Sequence, residues 1–301
     1  MARIDVNRSG EMEVFVRAVD LGGFSAAARA LRMTPSAVSK LIARLEARLG
    51  ARLINRSTRK LQLTPEGSAF YDQAQRILAD LDEAERSAAA GAAPRGRLRV
   101  NTSVPFGTHH LIPLLPEFLE RHPEITIDVT LTDKVVDLLE ERADVAIRVG
   151  PLKESQLVAR KLGESRMLLV AAPAYLDKRG VPQSPSDLAR HNLLGFSFAR
   201  QSNGWPFRDQ QGNVTAVVPT GNAQVSDGES MRLLVLTGLG ISRLSQVHIG
   251  PDVKAGRLVP VLERYNPGDT ESIHAVYVGG GHLPMRVRAF LDFLVERVRL
   301  A

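Results

Sequence analysis

Hydroxyl and basic side chains share one face of a predicted helix over residues 35–49. The opposite face must pack inward, because apolar residues recur there at offsets 0, 3, 4, 7 and 11: Val38, Leu41, Ile42, Leu45 and Leu49. The outward residues are small, hydroxylic or basic: Ser36, Ser39, Lys40, Ala43 and Arg44. Small residues let a helix enter the major groove of DNA, where hydroxyl and amino groups reach base edges or phosphates. The alternative is an amphipathic helix with a solvated polar face, but this face carries no acid before Glu46.

The segment after this helix is strongly basic. Arg52, Arg56, Arg59 and Lys60 place four cations within nine residues, as a wing that contacts DNA phosphates requires. Residues 1–65 carry 12 Lys and Arg against 5 Asp and Glu, whereas residues 66–301 carry 27 against 28. The basic surplus therefore lies in the first fifth of the chain. This distribution favours a polyanion-binding module joined to a near-neutral body, and the alternative is a solubilising basic surface.

Local signals make the candidate DNA-reading helix the last of three short helices. The first is predicted from an apolar face with helical spacing: Met12, Phe15, Val16 and Val19. A glycine pair ends it, and Ser25 is predicted to cap an Ala-rich helix. After a three-residue break, Thr34 is predicted as the next N-cap and Pro35 as the first helical residue, with Gly50 at the end. Two helices joined by so short a turn match a helix-turn-helix.

Residues 65–90 are predicted to form one long helix, with Thr64 as its cap and Pro65 as its first residue. Its apolar residues repeat every 3.5 residues over about three heptads, the spacing of a coiled-coil seam. These residues are predicted to mediate dimerisation: Phe70, Ala74, Ile77, Leu81, Ala84 and Ala88. Residues 91–96, rich in Gly, Ala and Pro, are predicted as a hinge.

The rest of the chain, residues 97–301, alternates strand and helix patterns. Strands are predicted over residues 98–101, 125–131, 145–149, 167–171, 193–198, 258–262 and 273–278. Helices are predicted between them, for instance over residues 135–141 and 226–237, and again over residues 287–298. This alternation predicts an α/β architecture with largely parallel sheets.

Residues 24–67 read FSAAARALRMTPSAVSKLIARLEARLGARLINRSTRKLQLTPEG. This gap-free run resembles the winged helix-turn-helix signature of LysR-type transcriptional regulators, and the resemblance begins at residue 11. Further runs resemble the effector domain of the same family: DVAIRVG at 144–150, LVARKLGESR at 157–166, AAPAYL at 171–176, GLGIS at 238–242 and VRAFLDFLVE at 287–296. The resemblance therefore covers the whole chain.

The resemblance implies an α/β fold class with several parts. A mostly α winged helix-turn-helix is expected over residues 1–64, a linker and dimerisation helix over 65–90, a hinge over 91–96 and an effector-binding domain over 97–301. This last domain would have the type 2 periplasmic-binding-protein fold, in which two crossing strands join two α/β lobes. Lobe one is placed at residues 97–162 and 269–301, and lobe two at 163–268.

The resemblance also implies roles and partners. Ser36, Ser39 and Lys40 would read bases. The phosphate-contacting residues would be Thr34, Arg52, Arg56 and Arg59, and the full DNA-binding set adds Pro35, Arg44 and Lys60. The linker helix would pair with its twin, so that two heads meet an interrupted inverted repeat in double-stranded DNA. A homodimer or homotetramer is expected, with RNA polymerase as a further partner.

Effector-binding residues are predicted where strands end and helices begin, because open α/β sheets bind ligands there. Thr132 and Asp133 are predicted to cap the helix that follows them, and Ser226 with Glu229 forms a capping-box pattern. The predicted set is Thr102, Ser103, Thr132, Asp133, Arg148, Ser197, Phe198, Ser226 and Ser242. Hydroxyl caps, helix N-termini and Arg favour a small anionic effector, for example a carboxylate.

No sequence pattern predicts a catalytic site, a metal site or a cofactor. The chain has no Cys, which excludes thiolate metal sites and disulfides. His109 and His110 would point roughly 100° apart on a helix and could not easily share a metal ion, and the other His residues are scattered. Without a secretory signal or a long apolar run, the protein is expected in the cytoplasm with no membrane partner. The remaining alternatives are an α/β enzyme with a basic nucleic-acid-binding adaptor and a nonspecific architectural DNA binder.

Overall fold

The computed structural model divides the chain into two units, Met1–Ala92 and Ala93–Ala301. It describes residues 7–56, 61–87, 93–133, 143–152, 157–198, 204–279 and 283–300. The finer boundaries predicted for the head, linker helix, hinge and lobes stay predictions.

Helices and one short hairpin build the first unit. Its elements are α1 (Arg8–Asp20), α2 (Phe24–Ala30), α3 (Pro35–Leu49), β1 (Ile54–Arg56), β2 (Leu61–Leu63) and α4 (Pro65–Ser87), with β1 and β2 antiparallel. Thr34 caps α3 as predicted, since its Oγ1 accepts a hydrogen bond from the Ala37 N–H at 3.2 Å. Gly50 ends α3 in the left-handed conformation, with φ of 66°. Thr64 accepts from the Gly67 N–H at 2.9 Å and so caps α4.

Helix α2 begins one residue before the predicted cap. Its N-cap is Gly23, whose carbonyl oxygen accepts from the Ala27 N–H at 3.1 Å, and no side chain caps this helix. Phe24 packs against the core of the unit as the first helical residue. The prediction for Ser25 is therefore wrong, because the helix already includes Phe24, which packs against the core, and Ser25 is its second residue.

The core of the first unit lies between α1, α3 and the first turns of α4. Val38, Ile42 and Leu45 are buried as predicted for the inner face of α3, whereas Leu49 is exposed beside the terminating glycine. Gly67 allows α4 to approach β1, because a Cβ at this position would lie 1.9 Å from the Leu53 carbonyl oxygen.

The second unit alternates strands and helices. Its strands are β3 (Gly96–Thr102), β4 (Ile125–Leu131), β5 (Val145–Val149), β6 (Leu157–Ala171), β7 (Gly195–Phe196), β8 (Trp205–Arg208), β9 (Val214–Val217), β10 (Gln224–Val225), β11 (Ile241–Ser245), β12 (Val259–Pro260) and β13 (Thr270–Val278). Its α-helices are α5 (Val104–Phe106), α6 (Leu115–Arg121), α7 (Pro173–Arg179), α8 (Gly228–Leu236), α9 (Gln246–Lys254) and α10 (Met285–Arg297). A π-helical turn, Gly107–Leu111, follows α5, and 3₁₀ turns lie at Ile112–Leu114, Pro185–Arg190 and Glu263–Tyr265.

One large sheet runs through this unit in the order β11-β6-β13-β5-β3-β4, with β12 also paired to β6. Strand β3 pairs in parallel with β4 and β5, but β6 pairs antiparallel with β13, β11 and β12. The α/β class is confirmed, whereas the prediction of a largely parallel sheet is wrong. The reason is β6, which pairs with β13 over residues 157–166 and with β11 over residues 167–171, so that one long strand serves both halves of the sheet.

Two hydrophobic cores flank this sheet. The first core, around Leu98, Phe118 and Phe290, takes its buried residues from 98–147 and 273–298. The second core has two layers, one around Leu169 and Ile241 and one around Val170 and Met231, with buried residues from 168–262. These ranges lie within the lobes that the resemblance implies.

Most strand predictions are confirmed, and two are too long. The strands at 125–131 and 145–149 have the predicted bounds. Of the strands predicted over 193–198 and 258–262, only Gly195–Phe196 and Val259–Pro260 form. The helix predicted over residues 135–141 lies outside the described residues. Among the described helices, none is long and apolar enough to cross a membrane.

Candidate nucleic-acid interface and ligand cleft

The outer face of α3 presents the predicted polar residues. Ser36 and Lys40 are exposed, and Ser39 is half-buried. The Oγ atoms of Thr34 and Ser36 lie 3.0 Å apart at the start of the helix. Short hydroxyls at the first turn and an amino group on the second are what a helix end needs to approach base edges closely.

Arg44, one of the predicted DNA contacts, has an acidic neighbour. Its Nε lies 3.7 Å from Oε1 of Glu11, a carboxylate that is only 3% exposed. Arg48 donates to the other oxygen of Glu11 from Nη2 at 3.0 Å. The Arg44 side chain is still 63% exposed, so it can bind an anion on its outer side. Glu11 tethers α3 to α1, a role that the sequence did not reveal.

Glu46 is not part of the outer face. Its Oε1 accepts hydrogen bonds from the N–H groups of Leu53 at 2.8 Å and Ile54 at 3.1 Å. The carboxylate is thereby used to position the start of β1. This removes the one acid that the sequence placed near the outer face of α3.

The hairpin after α3 has the form of a wing. Arg52 is exposed, and its carbonyl oxygen accepts from the Thr64 hydroxyl at 2.7 Å, which fixes the base of the hairpin. Arg56 lies in β1 opposite Leu61. The side chain of Arg56, together with Arg59 and Lys60, lies outside the described residues.

The predicted seam of α4 splits into two parts. Phe70 and Ala74 pack into the first unit itself, with Ala74 fully buried and the Phe70 ring 5.6 Å from that of Phe15. The assignment of Ala74 to a dimer seam is therefore corrected, because the unit buries this residue to hold α4, whereas the dimerisation role of the half-buried Phe70 stays a prediction. Ile77 and Leu81 remain 46% and 40% exposed. Nothing is described of the Ala84 side chain or of Ala88.

Three of the predicted effector residues meet at the carboxyl ends of adjacent parallel strands. Thr102, Thr132 and Arg148 belong to the ends of β3, β4 and β5, and the Thr132 N–H donates to the Thr102 carbonyl at 2.8 Å. Arg148 donates from Nη1 to Oδ1 of Asn101. The Thr102 hydroxyl is buried and finds no hydrogen-bond partner within the described part of the chain. A buried hydroxyl without a partner is unfavourable and marks a position where a ligand can add one.

Asp133 bonds to two backbone N–H groups. Its Oδ1 accepts from the Val104 N–H and its Oδ2 from the Gly228 N–H, both at 2.7 Å. The carboxylate thus serves the starts of α5 and α8, while Ser103, the N-cap of α5, makes no capping hydrogen bond. The helix that Asp133 was predicted to cap lies outside the described residues. Asp133 therefore occupies the position that we expected an anionic effector to take.

Ser197 and Ser226 follow the paired parallel strands β7 and β10, and the Ser197 N–H donates to the Val225 carbonyl at 2.9 Å. The Phe198 ring lies 5.2 Å from that of Phe196. Ser226 is not the cap of α8, because Asp227 takes that position and accepts from the Ser230 N–H at 2.8 Å. Ser242 is buried in the sheet and its hydroxyl donates to the Leu194 carbonyl at 3.2 Å. This hydroxyl is therefore used inside the second core.

A polar cluster between the cores escaped the sequence analysis. Oε2 of Glu229 lies 2.8 Å from Nε2 of His109 and 2.7 Å from Nε2 of His248, while Arg232 binds both Glu229 oxygens. Burial opposes ionisation of Glu229, but hydrogen bonds from Arg232, His248 and His109 outweigh it and hold the pKa of this carboxyl well below its usual range. Burial lowers the pKa of His248, which favours its neutral form. The histidines are 139 positions apart, so spacing gave no signal.

Two family models match the chain. The bacterial regulatory helix-turn-helix protein of the lysR family matches residues 10–68, and the LysR substrate binding domain matches residues 91–299. The HTH-type transcriptional regulator CrgA of Neisseria meningitidis serogroup C is 42% identical over 96% of this chain and 97% of its own length. An HTH-type transcriptional repressor of Pseudomonas aeruginosa is 36% identical, over 95% of this chain and 90% of its own. The solved structure of CrgA matches with a TM-score of 0.63 and 41% identity, covering 97% of this chain and 99% of that one.

A winged helix-turn-helix unit followed by an α/β unit with two cores defines a DNA-binding regulator with a ligand-sensing domain. The matches identify the family within that class. This chain belongs to the LysR family of transcriptional regulators. Members of the family bind DNA through the helix-turn-helix and small-molecule effectors through the substrate domain, and they are regulators rather than enzymes.

Proposed function

We propose that this chain reads a specific operator with the outer face of α3 and acts in the cytoplasm, where the DNA is. The observation that carries the proposal is the chemistry of that face. Ser36 and Lys40 are exposed on it, and Glu46 is turned away to bind the backbone of β1. An acid on this face would repel phosphates, so its removal favours DNA binding.

Each predicted DNA contact has a proposed role. Ser36, Ser39 and Lys40 contact base edges, because they lie on the outer side of the first turns of α3. The flanking phosphates are bound by Thr34, Arg44, Arg52, Arg56, Arg59 and Lys60, while Pro35 contacts the DNA only through its apolar ring at the helix start. Such contacts fix the register of the protein on the duplex and leave the reading of sequence to α3.

The DNA-binding form is a homodimer or a homotetramer in this proposal. Ile77 and Leu81 are exposed on α4 four residues apart, and large apolar side chains on a polar helix favour a partner helix. Two copies related by a twofold axis present two heads to an inverted repeat interrupted by a spacer. Contact with RNA polymerase would follow from regulation of transcription.

We assign the effector to the cleft around the buried hydroxyl of Thr102. Ser103, Thr132 and Arg148 lie beside it on one core, and Ser197, Phe198 and Ser226 lie on strand ends of the other. A small carboxylate would compete with Asp133 for the N–H groups at Val104 and Gly228. Since Asp133 bonds to helix starts that pack in both cores, this competition would remove a link between the two cores. A full switch from 1:99 to 99:1 needs roughly 10⁴-fold tighter binding to one state.

Substitutions on the outer face of α3 test the DNA-reading proposal. Ser39→Ala and Lys40→Ala should weaken operator binding and reduce discrimination between operator and mutated sequence by about 1–3 kcal/mol for a residue that contacts a base. Fluorescence anisotropy with both DNA duplexes measures the effect. Lys254→Ala, an exposed Lys of α9 in the other unit, is the matched control and should change nothing.

The same titrations separate this proposal from a nonspecific architectural binder. Substituting a residue that contacts only phosphate should weaken binding to every sequence alike. It should also reduce the slope of log affinity against log salt concentration by about 1. If wild-type affinity falls equally with salt on operator and unrelated DNA, and no α3 variant changes sequence preference, α3 does not read bases.

A further inference from the structure

Two histidine side chains from separate parts of the chain converge on one carboxylate oxygen of Glu229. Nε2 of His109 and Nε2 of His248 lie 2.8 and 2.7 Å from Oε2 of Glu229. The three candidate ligand atoms lie within 4.8 Å of one another. His248 is buried, and His109 and Glu229 are half-buried, so the cluster is not a chance contact of solvated side chains.

The donor set has the chemistry of a metal site. Two imidazole nitrogens and one carboxylate oxygen are a known ligand set for Zn²⁺, with one position left open. In tetrahedral coordination with bonds of about 2.0–2.1 Å, neighbouring ligand atoms lie about 3.3 Å apart. The two His–Glu pairs, at 2.8 and 2.7 Å, need to open by only about half an ångström to reach that spacing.

An imidazole has two neutral tautomers, and each ring nitrogen carries the proton in one of them and a lone pair in the other. In the structure each Nε2 is within hydrogen-bond distance of the same carboxylate oxygen, and an Nε2–H tautomer satisfies that contact. Moving the proton to Nδ1 leaves the Nε2 lone pair for a metal ion.

Arg232 keeps Glu229 in place and limits how tightly a cation can bind. Its Nη2 donates to Oε1 of Glu229 at 2.8 Å, so the carboxylate stays anchored when Oε2 turns to a metal. Its Nη1 donates to Asp252 at 2.6 Å, and Asp252 also pairs with Arg257. The second carboxylate offsets part of the guanidinium charge. The remaining repulsion favours a reversible site over a permanently occupied one.

The cluster lies between the two hydrophobic cores. His109 is on the π-helical turn whose Leu111 packs in the first core. Glu229 is on α8 and His248 on α9, whose Met231 and Ile249 pack in the second core. We propose that His109, Glu229 and His248 form a binding site for a divalent first-row transition metal ion such as Zn²⁺, which bridges the two cores.

Zinc titration of the full chain tests this assignment. Tag-free protein is stripped with a chelator and titrated with Zn²⁺ by calorimetry. Wild type should bind one equivalent, and His109→Ala and Glu229→Gln should weaken this binding at least about 100-fold, since even residues that only support a ligand cause losses of that order. Circular dichroism confirms that each variant folds.

His110→Ala is the matched control. His110 is adjacent to His109 on the same turn, but its Nε2 lies 3.0 Å from the Val247 carbonyl oxygen, away from the cluster. This variant should bind Zn²⁺ like wild type. Equal Zn²⁺ affinity in wild type and His109→Ala, or no Zn²⁺ binding by wild type, would overturn the proposal.

X-ray absorption of the zinc complex gives a readout that does not depend on mutation. Two imidazole nitrogens and a carboxylate oxygen at about 2.0–2.2 Å are expected. A zinc coordination shell without two imidazole nitrogens would contradict the assignment. Neither experiment uses DNA, so failure of the metal site and failure of the DNA-reading proposal can be told apart.

Discussion

At the scale of single residues, Asp133 shows how one carboxylate can join two cores. Its two oxygens accept from the Val104 N–H, at the start of α5, and from the Gly228 N–H, at the start of α8. Phe106 of α5 packs in the first core and Met231 of α8 in the second. The carboxylate therefore links the starts of two helices that pack in different cores.

Asp133→Asn removes the charge and one acceptor oxygen. The free energy of unfolding should fall by about 1–2 kcal/mol, because one buried N–H loses its partner. Asp128→Asn is the matched control: Asp128 lies in β4 and pairs with Arg97 on the surface, so its loss should stay within about 0.5 kcal/mol. Urea denaturation measures both. Equal losses in the two variants would show that Asp133 is an ordinary surface acid.

The residues that the sequence predicted correctly act through local hydrogen bonds. Thr34 and Thr64 bond to N–H groups three residues ahead, and a cap of this kind can be recognised from neighbouring residues alone. Glu46 and Asp133 bond to groups 8 and 95 positions away. Their partners are brought together only by the tertiary fold, so spacing along the chain could not reveal them.

At the scale of elements, α4 belongs to two surfaces. Its first turns pack on α1 through Phe70 and Ala74, and its later turns expose Ile77 and Leu81. The heptad pattern predicted an apolar stripe correctly but not its division. The division arises because Phe15 of α1 lies against the N-terminal part of the stripe, and periodicity does not say which neighbour a stripe contacts.

Gly67→Ala tests the close approach of α4 to the wing. The added methyl group would lie 1.9 Å from the Leu53 carbonyl oxygen, so one element must move, at a loss of about 1–3 kcal/mol in the free energy of unfolding of the first unit. Circular dichroism during heating should show that the first unit unfolds at a lower temperature than in wild type. Fluorescence of Trp205, which is the only Trp and lies in the second unit, should not shift. Ser68→Ala, at the exposed neighbour, is the control, and equal transitions in both variants would refute the prediction.

Leu81→Asp tests the dimer seam. Burying the new carboxylate at a helix–helix contact should weaken self-association by at least about 100-fold, the equivalent of about 3 kcal/mol. Sedimentation velocity of the full chain measures it. Gln73→Asp, which adds the same charge at an exposed polar position of α4, is the control. If Leu81→Asp sediments like wild type, the exposed stripe is not the association surface.

At the scale of the whole molecule, each of the two units matches one domain of the family. The first carries the helix-turn-helix and the second the hydrophobic cores of the substrate binding domain. The α/β class of the second unit could be predicted from its alternating strands and helices. Its mixed sheet could not, because the direction in which β6 pairs depends on β13, which lies 99 residues after the end of β6.

Recognition of a specific operator by this chain can be tested on DNA from its own genome. The most direct measurement is binding of the purified full chain to fragmented genomic DNA of its source organism, sequenced after washes at low and high salt. We expect discrete peaks that survive the high-salt wash and share an interrupted inverted repeat. Uniform retention that disappears with salt, or no retention at all, would contradict it.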